Sequence, residues 1–462
     1  MDINIQHDSQ HVTEDKLYEL MEKQPLINIG MIGHVANGKS SITKCLSEKE
    51  TQQFSKEKEK NITIRLGYAN AKIWKCVKCD EPQCYSSSHS SVNEKDCSSC
   101  NTKLRLVNHV SIVDCPGHSE LTSTMLNGSC VMDYTMLVEA CNNEKIPAPQ
   151  TAEHLIATQI AKIPTAYILM NKIDLVDKNV TKAKINELTT HIKSLNISQS
   201  PIAPIIPISG TFGTNIDVLC QYLSYLKVPN ERDLNSPLKM MVIRSFDINK
   251  PGVKITELNG GVIGGTIMRG QLSVGDKINI YPGLYKKINS EDNKQPMFKY
   301  KPITGKVLSI KSEQNNLSTA VPGGLLGIQL TIDPGFTRND NLAGSIVLKA
   351  HNDMSDTKVL EKIILKMDNI IVDENEIVMS VGNKLRININ SNNVDCVVKK
   401  YSKKKKELYL ILDKPIVTNN INNDNITQSI DTNNVTVLSP HKSNMIIGRG
   451  YIIEGVECAL MK

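Results

Sequence analysis

A chain of 462 residues is too long for one hydrophobic core and suits roughly two to four domains. Apolar residues make up 40% and charged residues 22%, a globular balance, and no apolar run reaches the ~18 residues that span a bilayer, so a membrane protein is not expected. The net charge of +6 is too small a surplus on this length to identify a nucleic-acid partner.

The first 24 residues form a polar tail without the apolar core of a secretory signal, which predicts a cytoplasmic protein. In that reducing compartment the 12 cysteines are not expected to form a disulfide framework. Several of them stand singly among apolar neighbours, which predicts small core residues. These are Cys45, Cys115, Cys130, Cys141, Cys220, Cys396 and Cys458.

The first motif lies in LINIGMIGHVANGKSSITKCL, where an apolar run precedes Gly33 and a helix-like segment follows Ser40. The spacing is that of a P-loop in its strand, loop, helix context, in which backbone amides at a helix N-terminus face phosphates. Lys39 would bridge the β- and γ-phosphates, and the Ser40 hydroxyl would ligate magnesium. The alternative is an ordinary glycine turn. The predicted nucleotide-binding residues are Gly33, His34, Val35, Ala36, Asn37, Gly38, Lys39, Ser40 and Ser41.

A second motif follows the alternating strand VNHVSIVDCPGH, which ends at Asp114. Asp114, Pro116 and Gly117 form a DxxG pattern. Such an aspartate can hold magnesium through water, while the amide of Gly117 can reach a γ-phosphate. The tetrapeptide is common by itself and gains weight from its place downstream of a P-loop.

A third motif, AYILMNKID, places Asn171, Lys172 and Asp174 at the carboxyl end of a buried strand, where ligands bind in open α/β sheets. The Asp174 carboxylate can accept hydrogen bonds from N1 and N2 of guanine, whereas adenine offers no such donor pair. The pattern therefore predicts GTP rather than ATP. Ser209 ends the next strand, APIIPIS, and the Gly210 amide would contact guanine O6, although SGT departs from the usual SA pattern.

These motifs resemble those of translational GTPases, since GHVANGKS, KNITI, DCPGH and NKID occur in the order seen in elongation factor Tu. NITIRLGYANAKI, MLNGSCVMD, PAPQTAEHL, VIRSFDINKPG, GGVIGGTI and VPGGLLGI are similar to the gamma-subunit family of translation initiation factor 2 from eukaryotes and archaea. The resemblance implies a GTPase domain followed by two β-barrels, with GTP or GDP and Mg²⁺ as ligands.

The resemblance also implies catalytic roles. Thr63 in KNITI would close over magnesium, and His118 would position the attacking water, with Val35 and Ile62 as the apolar gate that screens it. Lys39 and the Gly117 amide would stabilise charge while His118 orients the nucleophile. Without the motif, such a histidine is more often a solvated loop residue. No arginine in these loops suggests a finger in cis, so slow intrinsic hydrolysis is expected until an activating partner engages.

Residues 75–104 are poor in large apolar groups, so this segment, called here the cysteine insertion, needs a brace other than burial. Cys76, Cys79, Cys97 and Cys100 have the spacing of a four-cysteine zinc ribbon. Cys84 or His89 could replace one ligand. Free thiols on a mobile loop are one alternative. An iron-sulfur cluster is another, although the spacing fits neither common ferredoxin pattern.

Domain boundaries follow from changes in pattern. The polar tail covers 1–24 and the GTP-binding domain covers 25–230, after which Pro229 and Pro237 bracket a linker. Short strands separated by glycine turns then predict one β-barrel at 238–350 and a second at 351–462. The predicted fold class is therefore an α/β P-loop GTPase domain with a zinc-ribbon insertion, followed by two β-barrel domains.

The resemblance assigns a carrier function. It implies a subunit that binds initiator methionyl-tRNA in the GTP state, delivers it to the small ribosomal subunit, and works with alpha and beta subunits and with activating and exchange proteins. Tyr68 is a candidate to stack on the tRNA, with a half-buried strand tyrosine as the alternative. Asn61, which would cap or brace the switch, is the second candidate for the tRNA site. An elongation-type carrier and a GTP-binding scaffold without meaningful hydrolysis are the competing functions.

Two features of the second predicted barrel bear on contacts with RNA and with partners. The lysine run 399–406 is either a solvated hairpin tip or a contact for RNA phosphates. In IGRGYI, Arg449 stands where the family has a tryptophan, so contacts made there in relatives are not carried over.

Overall fold

The described part of the chain forms an α/β unit followed by two β-barrels, which confirms the predicted fold class. The computed structural model describes residues 14–51, 66–117, 122–194, 203–229, 233–288, 297–350, 357–370, 379–419, 434–439 and 445–461. Four residues with predicted roles, Asn61, Ile62, Thr63 and His118, lie outside these ranges. In the described ranges no helix combines the length and apolar character needed to cross a membrane.

The α/β unit contains a seven-stranded sheet with the order β3-β2-β4-β1-β5-β6-β7. Its strands are β1 Ile27–Ile32, β2 Gly67–Lys75, β3 Tyr85–His89, β4 Arg105–Asp114, β5 Tyr134–Ala140, β6 Thr165–Asn171 and β7 Ile205–Pro207. Its helices are α1 Glu14–Lys23, α2 Lys39–Ser47, α3 Thr122–Ser129, α4 Pro149–Ala161, α5 Lys178–Ser194 and α6 Ile216–Ser224.

Parallel pairing places the motif loops together. Strand β1 pairs in parallel with β4 and β5, and β5 pairs in parallel with β6. All six residues of β1 are buried, as expected for a strand covered on both faces. Because the carboxyl ends of β4, β1, β5 and β6 share one edge, the loops after Ile32, Asp114 and Asn171 meet there.

The cysteine insertion continues the sheet on its other side. It lies between β2 and β4, which pair antiparallel, and β3 within it pairs with β2. Cys76, Cys84, Tyr85 and Cys97 are buried and belong to the main apolar cluster of the α/β unit. The insertion is therefore joined to the GTPase core by both strand pairing and side-chain packing.

The first barrel closes through six strands, β11-β16-β8-β9-β15-β12, because β11 also pairs with β12. Its elements are β8 Lys239–Phe246, β9 Val262–Arg269, β10 Leu272–Ser273, β11 Lys277–Lys287, β12 Phe298–Ser312, β13 Asn315–Leu317, β14 Thr319–Ala320, β15 Leu326–Leu330 and β16 Ile346–Lys349. Along β12 buried and exposed residues largely alternate, which is the period of a strand with one face in the core.

The second barrel is closed in the order β17-β20-β19-β18-β21-β22. Its strands are β17 Thr357–Ile370, β18 Lys384–Ile389, β19 Asn392–Ser402, β20 Glu407–Asn419, β21 Asn434–Ser439 and β22 Met445–Glu457. The chain then returns to the first barrel, where β23 Ala459–Leu460 pairs in parallel with β12. The two barrels are thus linked by strand pairing as well as by their connection.

Apolar side chains from all three units share one cluster. Val131 of the α/β unit, Met241 and Ile243 of the first barrel and Val417 of the second barrel are buried in it. Burial at about 25 cal/mol per Å² of apolar surface makes such a cluster a principal source of cohesion between the units.

Candidate functional site

The P-loop has the backbone shape that its glycines predict. Gly33 has φ +137° and Gly38 has φ +95°, and helix α2 begins at the next residue, Lys39. A Cβ atom on Gly33 would lie 2.2 Å from the Val138 carbonyl oxygen, and one on Gly38 would lie 2.1 Å from Asn171 Nδ2. Only glycine fits at either position, so the tight turn before the helix depends on both.

Lys39 lies inside the curve of this loop. Its side chain is buried, and Nζ donates hydrogen bonds of 2.8 Å to the carbonyl oxygens of Gly33 and His34. Burial lowers the pKa of Lys39, while Asp114 acts in the opposite direction. Gly117 lies against the same loop, since a Cβ there would be 2.6 Å from Lys39 Nζ. The DxxG loop and the P-loop therefore converge on one ammonium group.

Two of the three predicted magnesium ligands, Ser40 and Asp114, meet at the buried end of β4. Ser40 Oγ donates a 2.6 Å hydrogen bond to Asp114 Oδ2. Thr51 Oγ1 donates a second hydrogen bond of 2.6 Å to the same oxygen. Hydroxyl and carboxylate oxygens are hard ligands of the kind that Mg²⁺ prefers, so the set fits this ion. Thr51 belongs to no motif and was not among the residues predicted from the sequence.

The predicted guanine-binding residues form a second meeting point. Asn171 Nδ2 donates to the Asn37 carbonyl at 2.8 Å, and Asn171 Oδ1 accepts from the Gly210 amide at 3.0 Å. Ser209 Oγ donates to Asp174 Oδ1 at 2.5 Å. The Asp174 side chain is exposed. Asn171 thus ties the P-loop to the Ser209 loop, and Asp174 presents its carboxylate at the open edge.

Helix α4 braces the P-loop from behind, a role that was not predicted from the sequence. Thr151 Oγ1 accepts a hydrogen bond from the His34 amide at 3.1 Å, and His154 Nδ1 accepts one from the Gly33 amide at 3.0 Å. A ring nitrogen that accepts a hydrogen bond carries no proton, so His154 must be neutral here. Burial lowers the pKa of His154 to about 3, so the ring stays neutral at physiological pH. PAPQTAEHL contains both residues but has no local signal for these contacts.

The stability of the protein is expected to decrease as the pH falls from 6.5 to 5. Burial lowers the pKa values of His109 and His154 to about 3, against 6.5 when unfolded. The unfolded chain therefore binds more protons in this window, and by pH 5 each histidine removes at most about 2 kcal/mol of unfolding free energy. The apparent melting temperature, measured from pH 7.5 to 5, should fall accordingly.

His154→Asn provides the matched control for this effect, because its Oδ1 can still accept from the Gly33 amide while the side chain does not titrate. The variant should lose part of the pH dependence, and His109 should supply the rest. An unchanged pH profile in His154→Asn would contradict the assignment.

Tyr68 is only partly accessible. It lies on β2 opposite Val113, and its ring packs against the apolar clusters between the α/β unit and the first barrel. Its hydroxyl is buried, with no hydrogen-bond partner among the described residues, and burial raises its pKa. In this arrangement the ring is not an open platform for a base, and the stacking role stays a prediction.

The four predicted metal ligands in the cysteine insertion come together. The sulfur atoms of Cys76, Cys79, Cys97 and Cys100 all lie within 4.8 Å of one another. The Cys76–Cys100, Cys79–Cys97 and Cys79–Cys100 sulfur distances are 3.5, 3.6 and 3.6 Å. Tetrahedral zinc with Zn–S bonds near 2.3 Å requires sulfur atoms about 3.8 Å apart, so the group fits this ion.

Neither Cys84 nor His89 belongs to this group. Cys84 is buried, and its carbonyl accepts from the Cys76 amide at 2.8 Å. His89 Nε2 lies 3.8 Å from Glu313 Oε2 of the first barrel. Hydrogen bonding with neighbouring thiols raises the pKa of Cys79, whereas hydrogen bonding with Ser99 and with Thr102 lowers the pKa values of Cys97 and Cys100.

The turn between β12 and β13 attaches the first barrel to the cysteine insertion. Glu313 forms an ion pair with Lys49, which follows α2, and lies beside His89. Asn315 Nδ2 donates to the Ser90 carbonyl and hydroxyl oxygens at 3.3 and 3.2 Å. The β12–β13 turn therefore contacts both the segment that follows α2 and the cysteine insertion.

The lysine run lies at the turn between β19 and β20. The side chains of Lys399, Lys400 and residues 403–406 are exposed. Lys400 Nζ lies 5.5 Å from the centroid of the Tyr409 ring. This placement agrees with a solvated hairpin tip, and contact with RNA phosphates stays a prediction.

Comparisons with known proteins find relatives among translation factors. Residues 24–229 match the family model for the elongation factor Tu GTP binding domain. The chain is 46% identical over 335 residues to eukaryotic translation initiation factor 2 subunit 3 of Drosophila melanogaster, covering 71% of this chain and 68% of that protein. It is 45% identical over 334 residues to the subunit gamma of the same factor from Encephalitozoon cuniculi, covering 72% of this chain and 73% of that protein.

Solved structures of elongation factors share the fold. A bacterial selenocysteine-specific elongation factor, EF-Sec, superimposes with a TM-score of 0.65 at 19% identity, covering 94% of this chain and 59% of that one. SelB from Methanococcus maripaludis, in complex with a GTP analogue, gives a TM-score of 0.61 at 20% identity, covering 94% of this chain and 80% of that one. At these identities the similarity concerns the arrangement of the three units and not the function.

Proposed function

The chain belongs to the family of the gamma subunit of eukaryotic translation initiation factor 2, and on this basis we propose that it carries initiator methionyl-tRNA to the small ribosomal subunit in the GTP state and releases it after hydrolysis. It is the GTP-binding subunit of an initiation factor and a GTPase. The observation that carries the proposal is the length of the match. An alignment of 335 residues extends beyond the GTPase domain at 24–229 and must include barrel sequence.

In the proposed nucleotide site, different loops bind the phosphates, the magnesium ion and the guanine base. The amides of the P-loop and Lys39 would neutralise phosphate charge, and the Gly117 amide would bind the γ-phosphate. Magnesium, held by Ser40 and Asp114, would neutralise charge on the phosphates. Asn171 and Gly210 fix the loop that receives guanine, and Asp174 accepts from its donors.

The catalytic step in the proposal is the attack of water on the γ-phosphate. Lys39 and Gly117 stabilise charge, while His118 orients the water and Thr63 completes the magnesium site, as the family resemblance implies. Val35 and Ile62 would gate His118. Hydrolysis by the isolated protein is proposed to be slow and to rise with an activating protein on the ribosome.

The cysteine insertion is proposed to hold one structural zinc ion. The sulfur distances around Cys76, Cys79, Cys97 and Cys100 support a closed tetrahedral site. A site with four protein ligands leaves no open coordination position for a substrate. The metal would therefore brace the insertion beside the switch and take no part in catalysis.

The proposed partners are the alpha and beta subunits of the factor, the initiator tRNA, the small ribosomal subunit, and activating and nucleotide-exchange proteins, in the cytoplasm. One competing function is an elongation-type carrier, but the chain resembles the solved structures of elongation factors only in fold. The second is a scaffold that binds GTP without meaningful hydrolysis.

Retention of labelled initiator methionyl-tRNA on filters tests the carrier function. The protein with its partner subunits should retain this tRNA more tightly with a GTP analogue than with GDP, and more tightly than an elongator aminoacyl-tRNA. Equal retention of both tRNAs would favour the elongation-type carrier. If a complex shown to bind GTP retains the initiator tRNA equally with the GTP analogue and with GDP, the scaffold function is favoured.

A further inference from the structure

We propose that Arg449 of the second barrel positions the P-loop through helix α4 and so couples the second barrel to nucleotide binding. Arg449 lies on β22 and is buried, with 6% of its surface exposed. Its Nη1 donates a 2.8 Å hydrogen bond to the carbonyl oxygen of Ile160, in the last turn of α4. Its Nη2 donates to Asn434 Oδ1 on β21 at 2.6 Å.

Physical chemistry favours a cation at this position. The last four carbonyl groups of a helix have no intrahelical partner, and the helix dipole places partial negative charge there. A guanidinium that fills this role while buried must be held in place by other groups. Asn434 supplies one acceptor, and Asp368 Oδ2 lies 3.9 Å from Nε as a counter-charge. Arg449 therefore fixes the carboxyl end of α4 to the second barrel.

The opposite end of the same helix holds the P-loop. Thr151 and His154 accept the backbone amides of His34 and Gly33. His154 and Ile160 are six residues apart on one helix, which is about 9 Å at 1.5 Å per residue. A single helical rod of this length connects the barrel arginine with the phosphate loop.

The two residues that α4 holds are also the ones that hold Lys39. Lys39 Nζ donates to the carbonyl oxygens of Gly33 and His34, both at 2.8 Å. A displacement of α4 would therefore move the backbone of both residues. Their amides would shift with the helix, and the Lys39 ammonium, which is bound to their carbonyl oxygens, would shift as well. The coupling free energy between two such contacts is the same in both directions. If the contact of the second barrel with α4 strengthens nucleotide binding, nucleotide binding strengthens that contact equally.

The experiment measures the dissociation of a fluorescent GDP analogue by stopped flow. Arg449→Met removes the donors while keeping most of the side-chain volume, and it should speed dissociation by at least about threefold. Arg449→Lys retains the charge but cannot reach both acceptors, and it should give a smaller increase. If Arg449→Met does not fold, Arg449→Lys serves as the test.

Two further variants separate a path through α4 from general loosening of the barrel. Asn388→Ala removes a 2.5 Å hydrogen bond from the second barrel to Asn127 of α3, without touching α4, and should leave dissociation within about twofold. Thr151→Val removes one of the two hydrogen bonds between α4 and the P-loop and should speed dissociation by itself. In that background Arg449→Met should add less than it does in the wild type, since two steps of one path are not additive.

The inference rests on the proposed nucleotide site, and the wild-type protein tests that site separately: no analogue binding by wild type would count against the proposed function. With wild-type binding intact, three results would overturn the role of Arg449. These are a changed melting temperature with unchanged dissociation in both Arg449 variants, multiplicative effects of Arg449→Met and Thr151→Val, and an equal effect of Asn388→Ala.

Discussion

Replacing Asp174 by asparagine is expected to weaken GTP binding by at least about a hundredfold and to allow xanthosine triphosphate to bind instead. The carboxylate can accept from both N1–H and the N2 amino group of guanine, and each hydrogen bond to a charged group contributes about 1.5 to 3 kcal/mol. Asparagine offers one acceptor and one donor, which complements the N1–H and O2 of xanthine. Ser209 Oγ holds the side chain through Oδ1, which asparagine retains.

Competition of fluorescent GDP by each triphosphate measures this change of specificity. Asp177→Asn is the matched control, since it removes one carboxylate three residues further along the same exposed segment. The control should bind GTP as wild type does. The assignment of Asp174 would be wrong if Asp174→Asn lost both triphosphates equally while remaining folded, or if it retained its preference for GTP.

The convergence of the motif loops was predictable because each motif is local in sequence. A P-loop needs Gly33 and Gly38 at positions where a Cβ would collide with Val138 or Asn171, so the glycine spacing carries the geometry. Asp114 and Asn171 end buried strands, and parallel pairing brings those ends to one edge. Local pattern and sheet topology together were therefore sufficient to place these motif loops at one edge of the sheet.

Contacts between distant segments were not predictable in the same way. His154 accepts from the Gly33 amide 121 residues earlier, and Arg449 donates to a carbonyl 289 residues earlier. Neither contact has a spacing signal, because each depends on how complete units pack. The sequence marked Arg449 only as a departure from the family. Thr51 was missed for a related reason, since one hydroxyl near a switch has no pattern of its own.

The cysteine insertion has one feature that is local in sequence and others that depend on contacts between distant segments. The spacing of its cysteine pairs predicted the ligand group, which is a local property. The packing of Cys76 and Cys97 into the core of the α/β unit and the contacts with Glu313 and Asn315 depend on tertiary structure. The sequence suggested that only a metal stabilises the insertion. In the structure the core of the α/β unit and the first barrel also hold it in place.

Replacing Cys97 by serine is expected to abolish zinc binding and to open the cysteine insertion while leaving the nucleotide site intact. A structural zinc site contributes folding free energy directly, so local stability should fall by on the order of several kcal/mol. Because Glu313 and Asn315 contact His89 and Ser90, protection should also decrease in the β12–β13 turn. The P-loop makes none of these contacts among the described residues, so fluorescent GDP should still bind.

Zinc content by mass spectrometry and hydrogen exchange of peptides covering 75–104 and 313–317 measure the two effects together. Cys84→Ser is the matched control, because Cys84 is buried in the same insertion but lies outside the ligand group. The control should retain about one zinc per chain, the content of a single four-cysteine site. Zinc retained by Cys97→Ser would refute the ligand assignment, and zinc lost without faster exchange would refute the bracing role. Faster exchange in the β12–β13 turn as well would show that the metal stabilises the contact between the GTPase domain and the first barrel.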